Sequence, residues 1–167
     1  MLEITPLRPD DPPVFEAAFD AIGWHKPAAQ YLRYLDEQTA DQRPVLVARV
    51  DGEFAGYVTV VWEPTYPTFR EAEIPEIQDF NVLPRFRRRG IGSALMDAAE
   101  ALIATRSKVV GIGVGLYPDY GPAQRLYVLR GYVPDGLGIA SETVQVHAGQ
   151  VVRVDDELAL YFTRVVG

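Results

Sequence analysis

The strongest constraint on the fold of this 167-residue chain is one strand–turn–helix segment, residues 76–104. Its first part, EIQDFNVLP, has the apolar and β-forming character of a strand that Pro84 stops. The turn RFRRRGIG follows. From Gly90 onward, apolar residues recur at helical spacing for about four turns, which predicts the longest helix of the chain. Helices of this kind pack on a sheet, so the segment predicts a layered α/β fold.

The rest of the chain predicts further strands and helices on both sides of this segment. Residues 43–63 form two β-rich runs around Asp51-Gly52, a pair typical of tight hairpins. The other predicted elements are strands at 2–8, 108–117, 142–147, 150–154 and 157–165, helices over 13–21, 26–38 and 119–131, and a loop over 65–75. Together they predict a mixed α/β (α+β) fold, a largely antiparallel central sheet of about six or seven strands flanked by about four helices, in a single domain over residues 1–167.

Composition and charge exclude several classes of function. The chain has no cysteine, which excludes disulfides, thiolate metal sites and a cysteine nucleophile. Its two histidines, His25 and His147, are too few for a histidine-rich centre, so we expect no metal. A formal net charge of -7 argues against a general partner among nucleic acids or anionic membranes. There is no apolar run of membrane-spanning length and no secretory signal pattern, so we expect a cytoplasmic protein.

Residues 85–93, here called the arginine turn, stand out against this acidic background. A helix N-terminus has unpaired backbone N–H groups and about half a positive charge, which favour an anion. Gly90 and Gly92 lack a Cβ and let the backbone approach a ligand closely. The turn predicts a di- or polyphosphate site, with a solvated basic turn as the alternative. It is not a P-loop, because no Gly-Lys occurs, and the dinucleotide fingerprint fails at Leu95, where it requires a third glycine.

Two motifs point to a known family. Residues 87–92 read Arg-x-x-Gly-x-Gly after a strand ending in Val-Leu-Pro. Residues 123–132 read Ala-x-x-Leu-Tyr-x-x-x-Gly-Tyr. In both motifs and in the order of its elements, the chain resembles the GNAT superfamily of N-acetyltransferases. The resemblance implies direct transfer of an acetyl group from acetyl-CoA to a primary amine, here expected to be a small molecule, without a metal, and it allows for a homodimer.

The resemblance also implies roles for particular residues. The arginine turn would hold the pyrophosphate, and the strand before it would lie along the pantetheine arm. The implied cofactor-binding residues are Phe80, Val82, Leu83, Arg87, Arg88, Arg89, Gly90, Ile91, Gly92, Ser93 and Gln124. Tyr127 would give a proton to the leaving thiolate, and Glu76 would be the general base. Asp79 or a water relay is the alternative base, although Asp79 would face away from Glu76 on a regular strand and would need a bulge.

The sequence leaves several alternatives open. Gly111, Gly113 and Gly115 predict either a close approach by another group or a bulge in their strand. Many relatives have an asparagine where this chain has Tyr120, so the implied cofactor contact at that position differs here. The acceptor could instead be a protein N-terminus or a lysine, and the donor a longer acyl-CoA. A non-catalytic acyl-CoA-binding domain and a nucleic-acid module are the rival classes.

Overall fold

The structure is a computed structural model that describes residues 1–167. Its contacts divide the chain into two compact units, residues 1–61 with 78–102 and residues 62–77 with 103–167. The chain passes from one unit to the other three times, and strand β4 (Glu76–Val82) supplies residues to both. The prediction of a single domain over 1–167 stays a prediction.

The elements confirm a mixed α/β fold whose strands are mostly antiparallel. The strands are β1 (Leu2–Pro6), β2 (Val45–Val50), β3 (Glu53–Val61), β4 (Glu76–Val82), β5 (Val109–Gly115), β6 (Val133–Ser141), β7 (Val144–Gln145) and β8 (Leu158–Val165). The helices are α1 (Asp11–Asp20), α2 (Ala28–Thr39), α3 (Pro67–Glu71), α4 (Ile91–Ala104) and α5 (Gly121–Leu129). No helix combines the length and the hydropathy that crossing a membrane would require.

In the first unit, hydrogen-bonded neighbours follow the order β1-β2-β3-β4. The β1–β2 and β2–β3 pairs are antiparallel. The predicted hairpin is confirmed, because β2 and β3 meet at Asp51-Gly52, and both residues have positive φ, 51° and 84°, as a type I′ turn requires. Aromatic side chains of α1, α2 and β3 form the core, with the Phe15 and Phe54 rings stacked at 3.8 Å.

Strand β4 is irregular in its middle. Asp79 has a φ of 49°, which is uncommon for a residue with a Cβ and breaks the regular alternation of side chains along the strand. On the neighbouring strand, a Cβ on Gly56 would lie only 2.4 Å from the Asn81 carbonyl oxygen. Glycine is therefore required at position 56, because the backbone of β4 approaches β3 too closely for any side chain.

In the second unit, the first two residues of β4 pair in parallel with Gly111 and Ile112 of β5. Strand β5 then pairs with β8 in an unbroken antiparallel register of seven residue pairs. Strand β8 also pairs with β6, and β6 pairs with β7. The core beneath these strands contains five buried residues: Tyr66, Phe69, Ala140, Ala159 and Tyr161.

Two local predictions were wrong, and one strand was missed. Residues 65–75, predicted as a loop, contain α3, whose Pro67 occupies the first helical turn and whose Phe69 is fully buried. Residues 133–141 form β6, which the proline and glycines of VPDGLG concealed; those residues lie where the β6–β8 register shifts. Residues 150–154, predicted as a strand, have no strand structure. Alternating valines form a stable strand only beside a partner strand, and this segment has none, so Val151 is 98% exposed.

Candidate functional site

The arginine turn joins β4 to α4 through two left-handed residues. After the single-turn helix Pro84–Phe86, Arg87 is extended, Arg88 has a φ of 57° and Gly90 a φ of 78°. Nothing lies within 4 Å of a Cβ built on Gly90, so glycine is favoured there by its backbone conformation and not by crowding. At Gly92, an added Cβ would lie 3.2 Å from the Phe80 ring and 3.8 Å from a Val82 methyl group, so the end of β4 packs against the first turn of α4.

Most backbone amides of this turn have no protein acceptor. The Arg87 N–H bonds to the Pro84 carbonyl oxygen at 3.2 Å, and the Ala94 N–H bonds to the Gly90 carbonyl oxygen at 3.0 Å. Between these two, the N–H groups of residues 88–93 make no hydrogen bond to the protein. A row of unpaired donors at a helix N-terminus can bind an anion, because each N–H can bond to an oxygen and the helix dipole favours negative charge. The predicted site residues Gly90, Ile91, Gly92 and Ser93 are therefore brought together.

The side chains of the turn differ in whether they can contact a ligand. Arg87, Arg88 and Arg89 are all exposed. The Arg87 Nε donates to the Val82 carbonyl oxygen at 3.0 Å, and its guanidinium lies 5.5 Å from the Trp24 ring centroid, which orders this arginine. Leu83 is buried and its N–H bonds to the Ala55 carbonyl oxygen at 2.9 Å. Leu83 and Ile91, both predicted contacts, can offer a ligand only backbone atoms.

Beside this turn in the first unit lies a polar cluster that the sequence analysis missed, centred on Asp79. One carboxylate oxygen accepts hydrogen bonds from Lys26 at 2.8 Å and from Asn81 at 2.8 Å. The other accepts from Gln30 at 2.9 Å, from Tyr34 at 3.0 Å and from Tyr57. No sequence signal could have shown this cluster, because four of these donors lie 22 to 53 positions away along the chain.

The surroundings of Asp79 make it a poor general base. Burial by itself would raise the pKa of this carboxyl, but the Lys26 ammonium and the hydrogen bonds from Tyr57 and Tyr34 outweigh burial and hold the pKa below its ordinary value. The same carboxylate helps burial to raise the pKa of Tyr34 to about 12. A carboxylate with five donors and a lowered pKa has little affinity for a further proton, so Asp79 is a structural centre of this unit.

In the second unit, the three glycines of β5 make room for aromatic rings. A Cβ on Gly111 would lie 2.3 Å from the Phe69 ring, and a Cβ on Gly113 would lie 2.8 Å from the Tyr161 ring. At Gly115, the same atom would lie 2.4 Å from the Tyr120 ring. The predicted close approach is therefore confirmed, and the groups that approach are the protein's own side chains. The alternative of a bulge is wrong, because the register of β5 is unbroken.

Glu76 opens β4 on the same face of the sheet as these rings. It pairs in register with Gly111, and residues paired across two strands project to the same side. Only 6% of Glu76 is exposed. Its negative charge contributes, after burial, to raising the pKa of Tyr161, so the carboxylate acts electrostatically on that hydroxyl.

Tyr127 lies near the end of α5 and is 5% exposed. Burial alone raises the pKa of its phenol well above the usual range. The hydroxyl makes no hydrogen bond to the protein. The hydroxyl is also accessible to solvent, because the only fully buried side-chain nitrogen or oxygen without a hydrogen-bond partner is the Trp62 Nε1. Tyr127 is thus a phenol that stays protonated and whose O–H group is available.

Gln124 and Tyr120 anchor the start of α5. The Gln124 side-chain amide donates to the Gly115 carbonyl oxygen at 2.8 Å, which leaves its side-chain oxygen available as an acceptor. The Tyr120 hydroxyl bonds to Asp156 at 2.9 Å, and the Tyr117 hydroxyl bonds to the same carboxylate oxygen. Tyr120, which replaces the asparagine of many relatives, therefore has a structural partner in this chain.

Comparison with a family model and with curated proteins found similar sequences. The model of the acetyltransferase (GNAT) family matches residues 7–132. An uncharacterized N-acetyltransferase of Archaeoglobus fulgidus is 37% identical over 78 residues, 45% of this chain and 51% of that protein, so the chain spans about half the length of this curated relative.

Solved structures show the same fold. An N-acetyltransferase of Staphylococcus aureus has a TM-score of 0.72 and 15% identity, with 100% of this chain and 99% of that chain covered. The protein yncA of Salmonella typhimurium, whose structure includes its cofactor acetyl-CoA, has a TM-score of 0.70 and 15% identity, with 99% and 94% covered. At such identities the likeness concerns the fold alone. Because the family model matches more than half of the chain, this protein belongs to the GNAT family of acetyltransferases.

Proposed function

We propose that this protein transfers an acetyl group from acetyl-CoA directly to the primary amine of a small molecule. The observation that carries the proposal is the row of unpaired N–H groups at residues 88–93, next to three exposed arginines. A chain with a net charge of -7 places this concentration of positive charge on one turn, where a pyrophosphate would bind. The family membership and the acetyl-CoA held by yncA support the choice of that cosubstrate.

The residues that would hold acetyl-CoA follow from the family motifs. The N–H groups of Gly90, Ile91, Gly92 and Ser93 and the guanidinium groups of the turn would bind the phosphates. By the family resemblance, the backbone of Phe80, Val82 and Leu83 would lie along the pantetheine arm. The Val82 carbonyl oxygen already accepts a bond from Arg87, so the arm would use other backbone groups of that strand. The oxygen of the Gln124 side chain would accept a bond from the cosubstrate.

Acetyl-CoA supplies an activated acyl group as a thioester. In the proposed reaction, the amine nitrogen attacks the thioester carbonyl carbon, the C–N bond forms and the C–S bond breaks. Glu76 takes the proton that the amine loses, directly or through a water molecule. Tyr127 gives a proton to the departing thiolate, for which a protonated phenol with a free O–H group is suited. No acyl-enzyme on cysteine can form, because the chain has no cysteine.

The environment of Asp79 supports Glu76 as the base. Asp79 accepts five hydrogen bonds and has a lowered pKa. Glu76 instead lies on the same face of the sheet as Tyr161, and Glu157 and Asp135 also act electrostatically on the Tyr161 hydroxyl.

The cytoplasmic location and the homodimer stay predictions.

The test is a thermal-shift measurement with acetyl-CoA and with coenzyme A, followed by an amine panel scored for free thiol. The panel should include small amines and peptides with a free N-terminus or a lysine. We expect both cosubstrate forms to raise the melting temperature and one class of small amine to release thiol. Stabilisation with release only from peptides would move the acceptor to a protein. Stabilisation without release would favour an acyl-CoA-binding domain, and the absence of any shift would refute the proposal.

A further inference from the structure

The Tyr161 hydroxyl is a polar group whose purpose the fold does not explain. The Tyr161 ring is 8% exposed, stacks on Tyr66 at 3.7 Å and meets Phe69 edge-on at 5.5 Å. The ring lies over Gly113, where a Cβ would be only 2.8 Å from it, so any other residue at position 113 would displace the ring. The hydroxyl nevertheless makes no hydrogen bond to the protein, and it is accessible to solvent. Most hydroxyls on nearly buried side chains are bonded to the protein, so a packed ring whose O–H group has no protein partner and is reached by solvent can offer that group to a ligand atom.

Three carboxylates act on this hydroxyl. After burial, Glu76, Glu157 and Asp135 contribute to raising its pKa, together with the neighbouring Tyr66. Asp135 is held in place, because its carboxylate accepts the Tyr66 hydroxyl at 2.7 Å and the Leu137 N–H at 2.9 Å. Glu76 lies on the same face of the sheet, paired with Gly111. The site thus combines a neutral phenol oxygen, which can accept a hydrogen bond, with a field that attracts cations.

We propose that the Tyr161 hydroxyl binds the acceptor amine, and that Glu76, Asp135 and Glu157 make the site selective for a cationic acceptor. The phenol oxygen accepts a hydrogen bond from the ammonium group, and the carboxylates provide the attraction. An acceptor with a carboxylate near its amine is repelled by the same groups. This inference rests on the proposed function, which supplies the acetyl transfer, and it names the class of substrate. Tyr161 exchanges no proton in the reaction and serves to bind the substrate.

The test uses three amines of equal chain length: 1,4-diaminobutane, 1-aminobutane and 4-aminobutanoate. Each is titrated by calorimetry into the protein saturated with coenzyme A, and each is assayed for thiol release with acetyl-CoA. We expect binding to weaken in that order, with about a tenfold difference between the diamine and the amino acid. Tyr161→Phe keeps the stacked ring and removes only the hydroxyl. It should raise the KM for the diamine about tenfold with little change in kcat.

Two variants test whether the carboxylates of the site, and not the overall charge of the protein, determine the preference for the diamine. Glu157→Gln removes an exposed carboxylate of the site and should reduce the preference for the diamine. Glu71→Gln removes an exposed carboxylate at the end of α3 and should leave that preference unchanged. Coenzyme A should stabilise all three variants as it stabilises the parent protein.

The inference is overturned if 4-aminobutanoate binds as well as the diamine, if no amine of the series binds, or if Tyr161→Phe has the parent KM. Calorimetry needs no turnover, so these results count even where no acetyl group is transferred. Failure of the proposed function has a different signature, namely no stabilisation by coenzyme A or acetyl-CoA and no thiol release with any amine or peptide.

Discussion

Replacing Asp79 by asparagine should destabilise the protein strongly, although the two side chains have almost the same shape. The substitution removes the charge that pairs with Lys26 at 2.8 Å and turns one acceptor oxygen into a donor facing other donors. Removing one partner of a buried ion pair costs about 3–5 kcal/mol, and the exposed fractions of 20% and 18% for these side chains place the expected loss near the lower end. At about 2–4 °C per kcal/mol for a chain of this size, the melting temperature should fall by about 6–12 °C.

The assay is urea unfolding at pH 7 and at several lower pH values, together with a double-mutant cycle that uses Lys26→Met. The pKa of Asp79 is lowered in the folded protein, so its stabilising contribution is present above the ordinary carboxyl pKa and is lost as the pH falls through the folded pKa. The difference between parent and Asp79→Asn should therefore shrink below about pH 4. Lys26→Met should cost less, because Asp79 keeps its hydroxyl and amide donors. A loss under about 1 kcal/mol at pH 7, or a difference that does not depend on pH, would refute this reasoning.

Three further substitutions test the proposed roles. Gly90→Val should weaken coenzyme A binding by calorimetry at least tenfold, because a β-branched residue resists the φ of 78° that arranges the free amides; unchanged affinity would remove the phosphate site from this turn. Tyr127→Phe should lower kcat by about ten- to a hundredfold while coenzyme A still binds, and an unaltered rate would leave Tyr127 as a core residue. Glu76→Gln should abolish the rise of kcat/KM with pH that ionisation of a general base produces, whereas an identical pH profile would assign the base to water or another group.

The sequence predicted those parts of the fold that local chemistry determines. Asp51-Gly52 predicted the hairpin because few other pairs adopt two positive φ values in succession. Gly90 predicted the turn before α4 for a related reason, and the apolar period of that helix is its own signal. These features depend on residues close together in the chain, so the sequence contains all the information that they need.

The parts that could not be predicted depend on contacts between distant residues. Asp79 has no distinctive neighbours in sequence, and its role as an acceptor appears only when β3 and the start of α2 lie beside β4. The glycines of β5 indicated missing volume, but not that the rings of Phe69 and Tyr161 occupy it. Strand β6 was missed because a strand with an irregular register carries the same proline and glycines as a turn.

The position of β8 has a consequence for how the protein is made on the ribosome. Strand β8 lies between β5 and β6 and hydrogen bonds to both, yet it is the last of the eight strands to be synthesised. The first unit has all of its residues once position 102 has left the exit tunnel, whereas β5 and β6 wait for residues 158–165 with their edges unpaired. The nascent second unit therefore presents two open strand edges to other chains until residues 158–165 have left the exit tunnel, and β8 then closes both in one step.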